Sequence, residues 1–392
     1  MARTSAQVLE FSTTRIDGLR VLVVAESFLP QINGVTNSVR RVLEHLAAEG
    51  HHAELFAPTG PDFYEGFRVH IARGARLPFY KDFRIGLETR RRLRRVMIAF
   101  QPDVVHIASP ATLGYQAARA AEELDIPTVA IYQTDMVGFA ARYEIPGGAK
   151  AMAALTRLIH TSVDRTLAPS TASLRQLEDL GIPGLGRWGR GVDTVTFHPS
   201  RRSESLRARL APNGEKLVGY IGRLAPEKEL DLLTHLHGMD GVKLVVVGGG
   251  PSEPELRKLL PDAAFLGVLH AEELGEAYAS LDVFVHTGRH ETFGQAVQEA
   301  LAAGVPAVAP NQGGPVDVID RGAGFLYRPG DGEDLKAYVE MLVANEPLRA
   351  QMGATARRSV ENRSWHAVNE ILVGHYRAVI AQRRGTSLRR AS

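Results

Sequence analysis

The sequence predicts an α/β protein made of two doubly wound, parallel-sheet domains that face each other across a cleft. Three observations carry this prediction. Short apolar, β-branched runs alternate with amphipathic helical stretches from end to end. The runs fall into two series parted by a seam that lacks them. The chain, at 392 residues, is also too long for one ordinary core and suits two of just under half that size.

The first series comprises VLVV (21–24), AELFA (53–57), VVHIA (104–108), TVAIY (128–132) and TLA (166–168). The second comprises KLVGYIG (216–222), KLVVVG (243–248), AFLG (264–267), DVFVHT (282–287), PAVAP (306–310) and GFLY (324–327). Strands without polar alternation, separated by helices, belong to parallel sheets covered on both faces. Val39, Val42, Leu43 and Leu46 show the intervening pattern, apolar at i, i+3, i+4 and i+7. The seam from Gly181 to Pro212 is rich in Gly, Pro and Arg and reads as a linker. The sequence ends in RRGTSLRRAS, a frayed basic tail.

Composition narrows the function. Hydrophobic residues are 44% and charged residues 23%, the balance of a globular protein. With no cysteine there are no disulfides and no thiolate metal sites, which fits a reducing compartment. No run reaches the ~20 apolar residues of a membrane span, and the N-terminus has no signal-peptide core, so the expected location is cytoplasmic. A net charge of +2 gives no reason to expect a nucleic-acid partner. Residues 1–190 hold 23 Lys and Arg against 19 Asp and Glu. That surplus is local: Arg90, Arg91, Arg92, Arg94 and Arg95 share a helical stretch whose apolar face is Leu93, Val96, Met97 and Phe100.

Four constellations could carry chemistry. Glu291 and Glu299 have seven residues between them, the first in a strand-to-helix loop and the second on the helix. Phe293 and Gly294 stand at the helix entry, where free N–H groups suit a phosphate or a sugar hydroxyl. The residues alone are equally consistent with a first-turn acid and a solvated one. Arg223 and Lys228 follow the strand KLVGYI, a layout for gripping a diphosphate or simply a surface turn. Asn33-Gly34 precedes a helix without the GxGxxG of dehydrogenases. Gly248-Gly249-Gly250 closes a strand, either cradling a nucleotide or packing beneath it, and Phe265–Leu269, with Val268, can offer backbone edges to a base. The histidines, His286 and His290 included, show no metal-ligand spacing, and no Gly-x-Ser-x-Gly elbow is present.

In this order the motifs resemble the retaining family 4 glycosyltransferases of the GT-B fold, two Rossmann-like domains across a cleft. The resemblance runs from Pro30-Gln31-Ile32-Asn33-Gly34-Val35 to the helix near Trp365 and is strongest over 222–228 and 280–314. It implies an acceptor-side domain over 1–190 and a nucleotide-sugar donor domain over 191–363. Residues 364–392 become a helix returning to the first domain, plus the tail. By resemblance Arg223 and Lys228 hold the donor diphosphate, and Glu291 and Glu299 contact donor sugar hydroxyls and ribose. The backbone at Phe293 and Gly294 reaches sugar and phosphate, and Val268 and Gly34, the acceptor-loop glycine, complete the donor-binding set. Glu291, Arg223 and Lys228 form the expected catalytic group.

A finer likeness is to actinobacterial α-mannosyltransferases that use GDP-mannose on glycolipids. It rests on Gln31–Val39, Tyr132-Gln133-Thr134-Asp135 and Arg190-Gly191-Val192-Asp193-Thr194, of which sulfolipid synthases share the first and third. Many relatives carry His where Gln133 stands, so the acceptor-side candidates are Asn33, Gln133 and Asp135, with His106 an alternative acid/base. The implied co-substrate is GDP-mannose, with no metal required and no other cofactor. The implied partner surface is anionic lipid met by Arg90–Arg95. UDP-glucose, UDP-N-acetylglucosamine and UDP-sulfoquinovose remain open as donors. A sugar-nucleotide 2-epimerase and a non-catalytic nucleotide-sugar binder remain open as other classes.

Overall fold

The first series of runs forms the central strands of one sheet and the second series forms another. The computed structural model describes residues 18–31, 33–77, 80–86, 88–108, 110–135, 137–138 and 148–391. Ile32 therefore lies outside the described residues.

Chain order begins with β1 (Arg20–Val24), α1 (Gly34–Ala48), β2 (His52–Ala57), β3 (Phe63–Tyr64) and β4 (Phe67–Ile71). A hairpin follows, β5 (Gly74–Leu77) with β6 (Tyr80–Gly86), then α2 (Arg90–Phe100) and β7 (Val104–Ile107). Next come α3 (Thr112–Glu123), β8 (Thr128–Ile131), α4 (Gly148–His160), β9 (Arg165–Ala168), α5 (Thr171–Asp179) and β10 (Leu185–Arg187). The sheet order is β10-β9-β8-β7-β1-β2-β4-β3, parallel except for the β3–β4 edge. Val21, Val23, Leu55, Val104 and Val129 are all but fully buried, which is why these strands show no polar alternation.

The second unit holds α6 (Glu204–Leu210), β11 (Lys216–Ile221), β12 (Val242–Val247), α7 (Glu253–Leu259), β13 (Ala264–Gly267) and α8 (Ala271–Ser280). It continues through β14 (Val283–Val285), α9 (Gln295–Ala302), β15 (Ala307–Pro310), α10 (Pro315–Val318) and β16 (Gly324–Tyr327). Its sheet is parallel throughout, in the order β13-β12-β11-β14-β15-β16. Helices α11 (Gly332–Ala344) and α12 (Glu346–Val360) cover it, and α13 (Trp365–Ala391) ends the chain.

The stretch read as a linker, without a strand pattern, carries regular structure of its own. Leu185–Arg187 pairs with Thr166–Ala168 as the edge of the first sheet, and α6 lies inside the same stretch. Three residues of Leu-Gly-Arg are too few to show a period, so sheet pairing decides the strand.

The last helix packs on the first unit. Val368, Leu372, Val373, Tyr376 and Val379 join the core formed by Val21, Val23, Val39, Leu43 and Trp188. Trp188 donates its indole N–H to the Val368 carbonyl at 3.0 Å. The chain thus crosses between the units twice, and the crossings touch at the Val192–Ser364 bridge. No helix among the described residues is long and apolar enough to cross a membrane.

Candidate functional site at the facing strand ends

Each sheet reverses its winding once. In the first, β2 lies on one side of β1 and β7 on the other; in the second, β12 and β14 flank β11 in the same way. At such a switch point the loops leaving the carboxyl ends of adjacent strands splay apart and open a crevice. The loops after β11 and β14 carry Arg223, Lys228 and Glu291, and those after β1 and β7 carry Asn33, Gly34 and Pro110. The two crevices share a cavity of about 560 Å³ lined by Glu26, Asn33, Gln133, Arg190, Arg223 and Lys228 among others.

The second unit supplies the charges. Lys228 ends a 3₁₀ turn that begins at Pro226, and its carbonyl accepts a hydrogen bond from Thr287 Oγ1 at 2.5 Å. This tie joins the β11 loop to the β14 loop and brings the Lys228 ammonium onto Glu291 Oε1. His286 Nε2 lies 3.4 Å from the same oxygen, and its ring stacks on Tyr220. Burial alone would push the Glu291 carboxyl up; Lys228 and His286 outweigh it and hold it well below the usual range. Glu291 is therefore a carboxylate at all ordinary pH, a fixed acceptor for hydroxyl groups. Arg223, half exposed, pairs with Glu227, while its backbone carbonyl takes the Tyr220 hydroxyl at 3.1 Å.

The triple glycine packs against this loop. Gly248, at φ 129°, lies so close to the chain that a Cβ there would stand 1.9 Å from the Gly222 carbonyl oxygen. A Cβ on Gly250 would stand 2.2 Å from the Leu224 carbonyl oxygen. Leu224 N–H donates to the Gly249 carbonyl at 3.0 Å, so the β12 loop is a bed for the Arg223 loop.

Gly294 caps α9 at φ 94°, a left-handed conformation, and Phe293 before it is buried. Along α9, Glu299 accepts from Tyr278 Oη at 3.0 Å and from Gln295 Nε2 at 3.2 Å. Burial pushes its carboxyl up to about 7, against the pull of those two donors and Arg190. The two glutamates of the motif thus sit in opposite electrostatic settings. Val268 stands exposed just beyond β13, at the same end of the sheet.

On the first unit, Asn33 caps α1: its Oδ1 accepts from Thr36 N–H at 2.9 Å while its Nδ2 donates to Ser27 Oγ at 2.7 Å. Gln133 donates to the Ala108 carbonyl at 2.6 Å and accepts from Arg190 Nη1 at 3.2 Å. Asp135 accepts from Gln176 Nε2 and from Gly138 N–H, both at 2.8 Å, and does not line the cavity. Its geometry is that of a loop brace. His106 is buried against Tyr376 Oη at 2.6 Å, and burial pulls its imidazole down to about 3. It does not line the cavity either, so the alternative acid/base is removed.

Three residues of the site were given no role by the sequence, although Arg190 opens one of the motifs quoted above. Arg190 donates to the Gly34 carbonyl at 2.7 Å and faces Trp365, bracing the acceptor-side loop at the chain crossing. Burial pulls its guanidinium down to about 10 against the pull of Glu299 and Glu291. His286, whose spacing gives no metal site, is 3% exposed and faces Glu291. Glu26, just past β1, accepts from Ala111 N–H and Gly114 N–H, each at 3.0 Å, where α3 begins.

Burial lifts the Glu26 carboxyl to about 7 from 4.5, the backbone donors only partly offsetting it. Between those values the folded chain keeps a proton that the unfolded chain has released. Its contribution to stability is complete below 4.5 and is lost as pH rises through about 7, at most ~3 kcal/mol. Urea denaturation of ligand-free protein from pH 5 to 8 should show a decline that Glu26→Gln makes shallower, Glu299 supplying the remainder. Identical slopes in the two proteins would contradict the assignment.

The two units also touch across the cleft. Thr292 Oγ1 donates to the Gln133 carbonyl at 3.2 Å, and Ser173 Oγ donates to the Thr292 carbonyl at 3.4 Å. The Asp317 carboxylate receives both the N–H and the hydroxyl of Thr171. The loop bearing Glu291 is thereby joined to the loop bearing Gln133.

Comparison with known proteins agrees with this geometry. Residues 32–196 match the model for Glycosyltransferase Family 4, and residues 202–359 match Glycosyl transferases group 1. A GDP-mannose-dependent alpha-mannosyltransferase of Mycobacterium tuberculosis is 48% identical over 374 residues, covering 93% of this chain and 98% of the relative. Its namesake from Corynebacterium glutamicum is 44% identical, covering 93% and 90%. Among solved structures, Anabaena Alr3699/HepE in complex with UDP superposes with a TM-score of 0.75 at 17% identity, covering 92% of this chain and all of the other. Two parallel-sheet units, opposed switch points and near-full-length identity give one conclusion: the chain is a glycosyltransferase of the GT-B fold and belongs to family 4.

Proposed function

We propose that this enzyme transfers mannose from GDP-mannose, with retention at the anomeric carbon, to a hydroxyl of a lipid-linked or glycolipid acceptor. The observation that supports the reaction class is the convergence of Arg223, Lys228 and the ionised Glu291 at the second sheet's switch point. The mannosyl donor is supported by the 44–48% identical relatives named for it. Acceptor binding falls to residues 1–190 and donor binding to 191–363, with 364–392 returning to the first unit.

Arg223 and Lys228 neutralise the donor diphosphate, and the backbone at Phe293 and Gly294 approaches phosphate and sugar. Glu291 accepts hydrogen bonds from sugar hydroxyls, and Glu299 from the ribose. Val268 lends its backbone edge to the base. Negative charge grows on the leaving diphosphate as the C1–O bond lengthens, so these cations act more strongly in the transition state than in the ground state. The sugar passes through an oxocarbenium-like state. The acceptor oxygen then bonds to C1 on the same face, and its proton moves to the departing phosphate oxygen. With two cations and helix N–H groups on the diphosphate, a metal is not required. Asn33, Gln133 and Gly34 shape the acceptor side, and Asp135 steadies the loop beneath it.

The test is turnover by metal-free enzyme across GDP-mannose, UDP-glucose, UDP-N-acetylglucosamine and UDP-sulfoquinovose. Selective use of GDP-mannose is expected. Preference for a UDP-sugar would overturn the donor, epimerised product without acceptor would overturn the reaction, and binding without turnover would leave a sensor.

The acceptor reading extends to the α2 surface. Arg91, Arg94 and Arg95 stand outward while Leu93, Met97 and Phe100 are buried, although Arg90 and Arg94 share Glu123 and Arg92 pairs with Glu88. This basic face suits the headgroups of anionic lipid. Vesicle co-sedimentation should rise with anionic lipid content and fall in an Arg91→Ala/Arg95→Ala variant; indifference to lipid charge would refute it.

A further inference from the structure

Far from the cleft, the last turn of α1 meets the first two turns of α13. Each presents a histidine and a glutamate four positions apart: His45 with Glu49, the C-cap of α1, and His366 with Glu370 on α13. The pairs cross. His45 Nε2 lies 3.0 Å from Glu370 Oε1, and His366 Nδ1 lies 3.5 Å from Glu49 Oε1. The two imidazole rings lie with centroids 5.2 Å apart, their planes tilted by 60°. One potential ligand atom from each of His45, Glu49 and His366 falls within 4.8 Å of the others.

His45 is the fixed member. Its side chain is 4% exposed, and no well-aligned hydrogen bond reaches Nε2 among the described residues, although that atom is buried and points into the cluster. The carboxylate of Glu370 at 3.0 Å meets this nitrogen only obliquely, and an ion between the two would complete the contact. Neighbouring ligands of a tetrahedral ion with 2.0–2.1 Å bonds stand about 3.3 Å apart. The two crossed pairs already have that spacing. Glu370 stands outside the group of three, and it, His366 and Glu49, all solvent-exposed, keep the rotamer freedom to close the remaining gap.

We propose that His45, Glu49, His366 and Glu370 bind a divalent transition-metal cation, Zn²⁺ foremost, that ties α1 to the start of the C-terminal helix. Two imidazoles with two carboxylates suit Zn²⁺, whereas Mg²⁺ and Ca²⁺ favour all-oxygen sets. The site lies about 16 Å along α1 from Gly34, outside the transfer site. Its place is the end of the second crossing, just after the Val192–Ser364 bridge. A bound ion there fixes where the returning chain is held on the first unit. Neither helix could show this in sequence, because 321 positions separate the two histidines.

The experiment uses tag-free, chelator-treated full-length protein and Zn²⁺ alone as probe. Calorimetry is expected to show one tight equivalent, with a rise in melting temperature. Co²⁺ in its place is expected to give the strong visible bands of a four-coordinate ion. His366→Ala and Glu49→Gln, both exposed positions, should each weaken binding at least tenfold and remove the thermal shift while leaving glycosyl transfer unchanged. The proposal is overturned if the wild-type protein takes up no Zn²⁺ beyond weak surface binding, or if both variants bind it as the wild type does. Either result would leave crossed His–Glu ion pairs and nothing more.

Discussion

Lys228→Ala is expected to lower turnover by about 10²–10³-fold while the protein stays folded, the size of effect seen when one charge-stabilising donor is removed. The ammonium does two things in this structure. It lines the cavity, and it pairs with Glu291, whose carboxyl it helps hold ionised. Its loss removes a cation from the leaving diphosphate and leaves the effect of burial on Glu291 opposed by His286 and Arg190 without their strongest ally. The rate of the variant should therefore also gain a pH dependence beyond that of the wild type, falling more steeply as pH drops and Glu291 takes up a proton. Glu291→Ala should lose turnover comparably without that pH dependence. The measurement is kcat and KM from pH 5 to 8, with circular dichroism as a check on folding. Near-normal kcat in both variants would remove these residues from the catalytic group.

Gly248→Ala should act through shape alone. The added carbon meets a backbone oxygen at 1.9 Å rather than a flexible side-chain end, at a φ that alanine avoids. Relief requires the Gly222–Leu224 segment to shift, and that segment sets the position of Arg223. Overpacking of this kind typically costs about 1–3 kcal/mol, and the left-handed backbone adds to it. The expected result is a lower denaturation midpoint together with weaker nucleotide binding. Gly214→Ala is the control: it also has positive φ but nothing within 4 Å of its new carbon. Equal effects at the two positions would mean that backbone conformation, not the contact with the Arg223 loop, is responsible.

Much of this arrangement was legible in the sequence, because buried parallel strands write themselves as unbroken apolar runs. VLVV, KLVGYI and KLVVV announced β1, β11 and β12 to within a residue or so. The edge strands β3 and β10 were not legible, being two and three residues long and formed by pairing more than by pattern. The site divides in the same way. Glu291, Lys228 and Arg223 stood in recognisable spacings, yet only the fold joins Lys228 to Glu291 across 63 positions. Arg190 and His286 could not be found by spacing, since their importance lies in what surrounds them: Gly34, Gln133 and Trp365 for one, Glu291 and Tyr220 for the other. Asp135 shows the converse, a polar residue in a promising loop that the fold uses as a brace.

The placement of α13 bears on how the chain is made. Val368, Leu372, Val373 and Tyr376 belong to the core around β1, yet the ribosome delivers them more than 340 residues after Val21. Domains ordinarily complete themselves in the order of synthesis. Here the second unit, contiguous from α6 to α12, has all its strands in hand while the first still lacks a wall. The domain begun first is the one finished last, and during translation its open apolar face must wait for the final helix to emerge.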